Sequence, residues 1–211
     1  EAWYILDATP DAELLVGVRG RIGTAAVRAA IADGSGSLAP LLARHRARSG
    51  DAIMIPAGTL HAVGPSIFLY EIQQPSDLTY RCDDWGRPTT PTRPLHISQA
   101  LASVRPASRP RLRKAPKVDR ATLVACEHFV LERLIVGPGR PAVLDPDGAS
   151  VHVLTAIDGP VRIRRFDPGS ARARSKPVVL GGLETVVVSA ASPAYTIDAP
   201  AHARVLLARV P

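Results

Sequence analysis

Short apolar runs separated by turn residues make up most of the chain. The first two runs, residues 2–6 and 14–18, flank the turn Asp7-Ala8-Thr9-Pro10 and predict a β-hairpin. After residue 120, short runs recur at nearly even spacing between Gly, Pro and Asp turns: 123–136, 150–157, 161–165, 184–189, 194–197 and 204–210. Because this spacing is typical of β-sandwiches and small barrels, the pattern predicts a mainly β protein.

Three segments carry helical spacing instead. Thr24 can cap a helix over residues 25–33 that ends at Gly34, and residues 38–48 predict a second short helix with its leucines on one face. A third short helix is predicted from about residue 95 to 104. We interpret the first two helices as a small helical insertion, at about residues 24–48, that packs on a barrel.

The segment 105–120 interrupts the alternation of strands and turns. It contains three prolines and seven basic residues against one acid, so it holds +6 of the formal net charge of +7. Since prolines and like charges disfavour compact packing, we predict a linker here. The expected organisation is a β domain over residues 1–104, the linker over 105–120, and a second β domain over 121–211. Two related β units in tandem are the simplest architecture.

The composition limits the class of protein. With 211 residues and 46% apolar content, the chain can bury one large or two small β cores. No run approaches the roughly 20 apolar residues that a membrane-spanning helix needs, and no signal-peptide pattern is present, so we expect a cytoplasmic protein without membrane contact. The two cysteines, Cys82 and Cys126, are expected to be free thiols.

The basic segment raises the question of nucleic-acid binding. Nucleic-acid sites combine cationic residues with aromatic side chains, but no aromatic residue lies within 105–120 and no recognition motif is apparent. We therefore interpret the charge as a solvated linker and expect no nucleic-acid partner.

The candidate chemistry is concentrated between residues 50 and 85. An apolar run ends there in the turn Pro56-Ala57-Gly58, a lone His61 follows, and a second apolar run carries Glu71, Gln73 and Gln74. If residues 76–82 are extended, Asp77, Thr79 and Arg81 share one face of a strand. Polar groups placed so soon after two apolar runs indicate a site at the mouth of a barrel.

These motifs carry a family resemblance. The spacing of Gly50, Pro56, Gly58 and His61 is similar to the second conserved motif of cupins. The blocks Pro-Ala-Gly-Thr-Leu-His-Ala and Tyr-Glu-Ile-Gln-Gln-Pro-Ser-Asp-Leu-Thr-Tyr-Arg, followed by Asp84-Trp85 and Leu95-His96-Ile97, resemble the short bacterial form of type I mannose-6-phosphate isomerase. The resemblance extends to the opening residues 1–6 and to Cys126-Glu127-His128-Phe129. It implies tandem cupin-like β-barrels or jelly rolls.

The resemblance also implies site residues. In this family Zn²⁺ is held by a Gln and a His from an upstream strand, by a Glu that matches Glu1 and by a His that matches His61. The Gln and the His match nothing in this chain, which opens on Glu1 in mid-strand without a methionine, so we expect an N-terminally truncated protein. By the same matching, Arg81 and Glu71 are catalytic and Asp77 binds the substrate.

The chemistry agrees with this assignment. Interconversion of an aldose and a ketose phosphate moves a proton between C1 and C2 through a cis-enediol, which zinc can assist by polarising the oxygens. A carboxylate such as Glu71 can transfer the proton. Because its guanidinium stays protonated, Arg81 is expected to hold the enediolate or phosphate oxygens of the sugar phosphate.

Three functions stay open from the sequence. The leading hypothesis is a zinc-dependent mannose-6-phosphate isomerase. The alternatives are a degenerate cupin that binds a sugar phosphate without turnover and a basic nucleic-acid-associated protein. In the second domain, His128, His152 and His202 fit no cupin ligand spacing, so we expect that domain to be a metal-free packing partner.

Overall fold

The computed structural model describes residues 1–20, 22–33, 38–76, 78–166 and 176–211 and divides the chain into two compact units. The first unit is Glu1–Lys114 and the second is Ala115–Pro211. Both are built mainly from antiparallel strands, so the predicted fold class is confirmed. No helix among the described residues is long and apolar enough to cross a membrane.

The first unit contains two antiparallel sheets. Its strands are β1 (Ala2–Ala8), β2 (Glu13–Val18), β3 (Leu42–Arg46), β4 (Asp51–Met54), β5 (His61–Val63), β6 (Ile67–Ile72) and β7 (Arg113–Lys114). One sheet has the order β6-β1-β4-β7 and the other has the order β3-β2-β5. Alternate residues of β1 and β2 form a shared core, in which Trp3 and Ile5 pack with Leu14 and Val16. This packing places the inner faces of the two sheets against each other.

The predicted hairpin at the start of the chain is wrong. Strand β1 pairs with β4 and β6, whereas β2 pairs with β3 and β5. Both strands carry large apolar side chains at alternate positions, and these are buried when the strands lie in facing sheets. The turn at residues 9–12 therefore connects two sheets and not two neighbours of one sheet.

Two of the three predicted helices are present. They are α1 (Thr24–Asp33) and α2 (Ile97–Ser103), whose buried faces meet around Val27, Ile31 and Ala100. The helix predicted over residues 38–48 is wrong: a short 3₁₀ turn at Ala39–Leu41 leads into β3. Pro40 removes a helical donor, and Arg44 and Arg46 recur with the period of two that a strand requires.

The second unit also contains two sheets of antiparallel strands. Its strands are β8 (Arg120–Ala125), β9 (Val130–Val136), β10 (Ala142–Leu144), β11 (His152–Ala156), β12 (Val161–Arg165), β13 (Val178–Leu180), β14 (Thr185–Val188), β15 (Tyr195–Asp198) and β16 (Ala203–Arg209). The sheet orders are β14-β11-β16-β9-β8 and β10-β15-β12-β13. Apolar residues of both sheets form one core, including Leu154, Ile197 and Leu207.

The segment predicted as a linker is only partly free of regular structure. Arg113–Lys114 pairs with β4, and Arg120 begins β8. The boundary between the two units falls at Lys114 and Ala115, inside this segment. The prediction of a solvated linker over all of 105–120 is therefore wrong, because its backbone donors and acceptors are used by both units.

We expect Leu154→Ala to lower the free energy of unfolding of the second unit by about 2–5 kcal/mol. Leu154 is fully buried on β11, so truncation leaves a cavity in the core. Val187→Ala is the matched control, since Val187 lies on the neighbouring strand β14 and is 64% exposed. Urea denaturation would measure both, and equal losses would contradict the assigned core.

Candidate active site

Glu1 is fixed at the start of β1 by the neighbouring end of β4. Its main-chain nitrogen donates to the Ile55 carbonyl oxygen over 3.1 Å, and the Ile55 N–H donates to the Glu1 carbonyl oxygen over 2.8 Å. The register that pairs Trp3 with Ile53 continues through this contact. Because side chains alternate along a strand, Glu1 lies on the same inner face as Trp3.

His61 comes from the opposite sheet. It is the first residue of β5 and pairs with Val16 of β2, whose side chain lies in the core between the sheets. The His61 Nδ1 lies 2.9 Å from the Thr59 carbonyl oxygen. Since a carbonyl can only accept, Nδ1 carries the proton and Nε2 is the atom available for other contacts.

The two residues meet within the first unit. The His61 Nε2 lies 2.8 Å from the Glu1 Oε1, and the side chains are 36% and 17% exposed, respectively. The Glu1 Oε1 is buried, yet no partner among the described residues bonds to it with hydrogen-bond geometry. An imidazole lone pair and a carboxylate oxygen repel each other at this distance unless a proton or a cation lies between them.

This contact shifts the pKa values of both Glu1 and His61. Burial would raise the pKa of Glu1, but contact with His61, the charge of His61 and the terminal ammonium together lower it. Burial would likewise lower the pKa of His61, but Glu1, the Thr59 carbonyl and the charge of Glu71 together raise it. The pair thus favours an anionic carboxylate beside a positive charge.

Trp3 connects Glu71 to this pair. Glu71 lies opposite Trp3 in the β1–β6 register, and the Trp3 Nε1–H donates to the Glu71 Oε2 over 3.1 Å. The Trp3 and His61 rings meet edge to face, with centroids 5.4 Å apart. Glu71 therefore holds the indole that packs on His61.

A cavity of about 570 Å³ opens beside the pair. Its volume is in the range of small-molecule sites. The walls combine apolar and polar groups, and the polar ones that bear on chemistry are Glu1, His61, Gln73, Gln74, Thr79, Arg81 and Arg93.

Arg81 lies in a segment without regular strand structure, although residues 76–82 were expected to be extended. Tyr80 and Cys82 pack against the cluster formed by α1 and α2. Nearby, Arg93 makes a two-point contact with the buried Asp84, including an Nη2 to Oδ1 distance of 2.7 Å. Hydrogen bonding from Arg93 lowers the pKa of Asp84, with the charge of Arg81 contributing.

The structure thus brings together three of the five predicted site residues. Glu1, His61 and Arg81 line one cavity, whereas Glu71 is held by Trp3 and is not among the lining residues. Asp77 lies outside the described residues. No cluster of three or more His, Cys, Asp or Glu side chains suited to a metal occurs in the described part of the chain.

The sequence did not predict the hydrogen bonds that fix the turn before His61. The Arg105 N–H donates to the Gly58 carbonyl oxygen over 2.8 Å, and the Thr59 and Ser108 hydroxyls lie 2.7 Å apart. Residues 103–108 therefore hold the turn that precedes His61. The Pro-rich composition of this segment carried no signal of such a contact, which depends on chain positions about 50 residues apart.

The second unit has its own buried polar groups. The His152 Nδ1 lies 2.7 Å from the Tyr195 hydroxyl, and burial raises the pKa of Tyr195. His128 lies on the surface, 3.3 Å from a carboxylate oxygen of Glu127. Each of these histidines has a protein partner, and His202 packs beside Gly137.

We expect Gly58→Ala to destabilise the first unit and to weaken the contact between His61 and Glu1. Gly58 has φ +80°, and an added Cβ would clash with the Ser103 carbonyl oxygen. Gly50→Ala is the matched control, because Gly50 has φ +89° but open space around it. The control should cost about 1–2 kcal/mol, and Gly58→Ala should cost more. Denaturation and the His61 ring resonances would measure this; equal costs would contradict the close packing at Gly58.

The chain is similar in sequence to known mannose-6-phosphate isomerases. No family model matches the chain. Among curated proteins, a mannose-6-phosphate isomerase of Bacillus subtilis is 31% identical over 140 residues, which cover 61% of this chain and 42% of the relative. A mannose-6-phosphate isomerase of Streptococcus mutans is 36% identical over 107 residues, covering 48% of this chain and 32% of the relative. The aligned segments therefore cover less than half the length of these relatives.

Solved structures extend the likeness in fold. The mannose 6-phosphate isomerase from Bacillus subtilis has a TM-score of 0.78 at 24% identity and covers 98% of this chain and 63% of its own. The apo form of the Salmonella typhimurium enzyme has a TM-score of 0.68 at 14% identity and covers 98% of this chain and 65% of its own. The resemblance to type I mannose-6-phosphate isomerases that the motifs predict is therefore confirmed, in sequence over about half of the chain and in fold over nearly all of it.

Proposed function

We propose that this protein interconverts mannose 6-phosphate and fructose 6-phosphate. The observation that carries the proposal is the Glu1–His61 pair on the wall of a cavity that Arg81 also lines. The sequence relatives named as mannose-6-phosphate isomerases and the shared fold support it. The cavity volume is large enough for a phosphorylated hexose.

We further propose that Glu1 and His61 are two ligands of a zinc ion. Their donor atoms lie 2.8 Å apart, the Glu1 Oε1 lacks a hydrogen-bond partner among the described residues, and the Thr59 carbonyl fixes the tautomer that leaves Nε2 free to ligate. One nitrogen and one oxygen donor suit zinc. Bound there, the ion would act as a Lewis acid on the sugar oxygens.

The chain's own residues supply binding and orientation. In the proposed reaction a base takes the proton from C2 of the aldose and delivers it to C1, while the hydroxyl proton of O2 passes to O1. The intermediate is a cis-enediol, and its oxygens carry developing negative charge as it forms and decays. Arg81 lies on the cavity wall, so its guanidinium can donate hydrogen bonds to those oxygens or to the phosphate.

The contacts of Glu71 support a different proposal from the catalytic role that the family resemblance implies. As a base it would have to present a free carboxylate to the cavity, but its Oε2 accepts from Trp3 and its side chain does not line the cavity. We therefore propose that Glu71 mainly orients Trp3 against His61.

We expect His61→Ala to lower zinc binding about tenfold or more and to lower turnover with it. Arg81→Ala should remove most turnover but leave zinc content unchanged, because Arg81 is not a ligand. His128→Ala is the control, since it removes a surface histidine that also lies beside a carboxylate. Zinc content after equilibrium dialysis and a coupled isomerase assay would measure these effects.

Two outcomes would contradict the proposal. A folded, zinc-loaded protein without turnover that still binds mannose 6-phosphate would indicate a degenerate, non-catalytic cupin. Unchanged zinc binding in His61→Ala would remove this residue from the ligand set.

We expect Glu71→Gln to keep turnover within about threefold of the wild type, because the glutamine amide oxygen can still accept from Trp3. Glu71→Ala should lose more, since the indole N–H is then left without its partner. Glu13→Gln provides a control for the change of charge, as Glu13 pairs with Arg44 on the surface. A loss beyond a hundredfold in Glu71→Gln would assign Glu71 as the proton-transfer base.

A further inference from the structure

The backbone at Arg81 lacks the support that a sheet would give. Residues 78–82 form no strand in the described structure, so no ladder of hydrogen bonds fixes the direction of these side chains. Within the described part of the chain, the Arg81 guanidinium makes no hydrogen bond, and Asp84 acts on it only through its charge. The direction of the Arg81 side chain therefore depends on the contacts that fix its main chain.

His96 provides that hold through two contacts. The Arg81 N–H donates to the His96 Nδ1 over 3.1 Å, and the His96 N–H donates to the Arg81 carbonyl oxygen over 2.7 Å. Because a peptide N–H can only donate, the His96 Nδ1 must present its lone pair to it. The Tyr80 ring packs near the same imidazole, with centroids 6.0 Å apart.

The position of His96 in its own helix points to the same role. His96 is the N-cap of α2, where Ser, Thr, Asp or Asn would stabilise the helix by bonding its free N–H groups. The His96 side chain makes no such capping bond. It reaches across to Arg81, 15 positions earlier in the chain, and leaves the helix end without a side-chain cap.

The helix itself is anchored. The Ala100 N–H donates to the His96 carbonyl oxygen over 2.8 Å, and Ala100 is buried in the cluster that α1 and α2 share with Tyr80 and Cys82. The imidazole thus connects a packed helix to a segment without strand structure. A rigid element can in this way set the direction of a side chain on the cavity wall.

We propose that His96 is a positioning residue that holds the Arg81 main chain so that the guanidinium points into the cavity. The inference rests on the proposed function, in which Arg81 binds the oxygens of the sugar phosphate. His96 has no role in binding the substrate itself. Its effect passes through Arg81, and this distinguishes it from a residue needed only for folding.

Three substitutions separate the two roles of position 96. His96→Asn places an acceptor where Nδ1 lies and can also cap the helix. His96→Ser can cap the helix, but its hydroxyl is one bond too short to reach the Arg81 N–H. His96→Leu can do neither. A purely structural role predicts that Asn and Ser serve equally well, whereas a positioning role predicts that only Asn does.

For the zinc-loaded protein we expect kcat to fall about tenfold in His96→Leu and His96→Ser, with a smaller change in KM, and to stay within about twofold in His96→Asn. Amide hydrogen exchange of Arg81 should accelerate in the first two variants only. In an Arg81→Ala background, His96→Leu should cause no further loss of turnover, because the guanidinium that His96 positions is already absent.

Each contrary result overturns the inference. The inference is wrong if His96→Ser keeps turnover as well as His96→Asn does. It is also wrong if the losses of His96→Leu and Arg81→Ala add, or if amide exchange of Arg81 is unchanged in His96→Leu. If the wild-type protein binds zinc but has no turnover, the proposed function fails separately. The inference is then decided by calorimetric binding of mannose 6-phosphate, which should weaken in His96→Leu and His96→Ser and persist in His96→Asn.

Discussion

The central place of β1 in its sheet is the constraint on which the first unit depends. Because β1 lies between β4 and β6, its first residues are paired on both sides at once. One edge brings Glu1 beside Ile55, and the other brings Trp3 beside Glu71, 68 positions away in the chain. Packing of the facing sheet then delivers His61 to the same place. The candidate site is thus a consequence of core packing.

Burial of Glu1 and His61 costs desolvation energy, which their close contact offsets. Burial disfavours the charge on both groups, yet the pKa of Glu1 is lowered and that of His61 is raised, so mutual attraction outweighs desolvation. The Thr59 carbonyl leaves Nδ1 no role other than donor, which orients the ring. The buried Glu1 Oε1 lies beside a ring nitrogen and has no hydrogen-bond partner among the described residues, an arrangement that a bound cation would stabilise.

Long-range contacts also fix the parts of the cavity wall that have no strand. His96 holds the main chain of Arg81, and residues 103–108 hold the turn before His61. Both supports come from the segment around α2, which follows the strands of the site in sequence. The segment 105–114 therefore belongs to the first unit, through backbone contacts of Arg105, Arg113 and Lys114.

The sequence by itself determined the mainly β class, two of the helices and the motifs that carry the family resemblance, because periodicity and turn chemistry are local properties. Local spacing also gave two wrong predictions. A helix was predicted over residues 38–48, where the arginines at 44 and 46 lie on a strand. A hairpin was predicted from two neighbouring apolar runs that belong to different sheets. The family resemblance assigned Glu1 and His61 to one site, but only the tertiary structure showed their direct contact and the bond between Trp3 and Glu71. Such contacts depend on which sheet faces pack together, and that choice is settled by burial summed over the whole core.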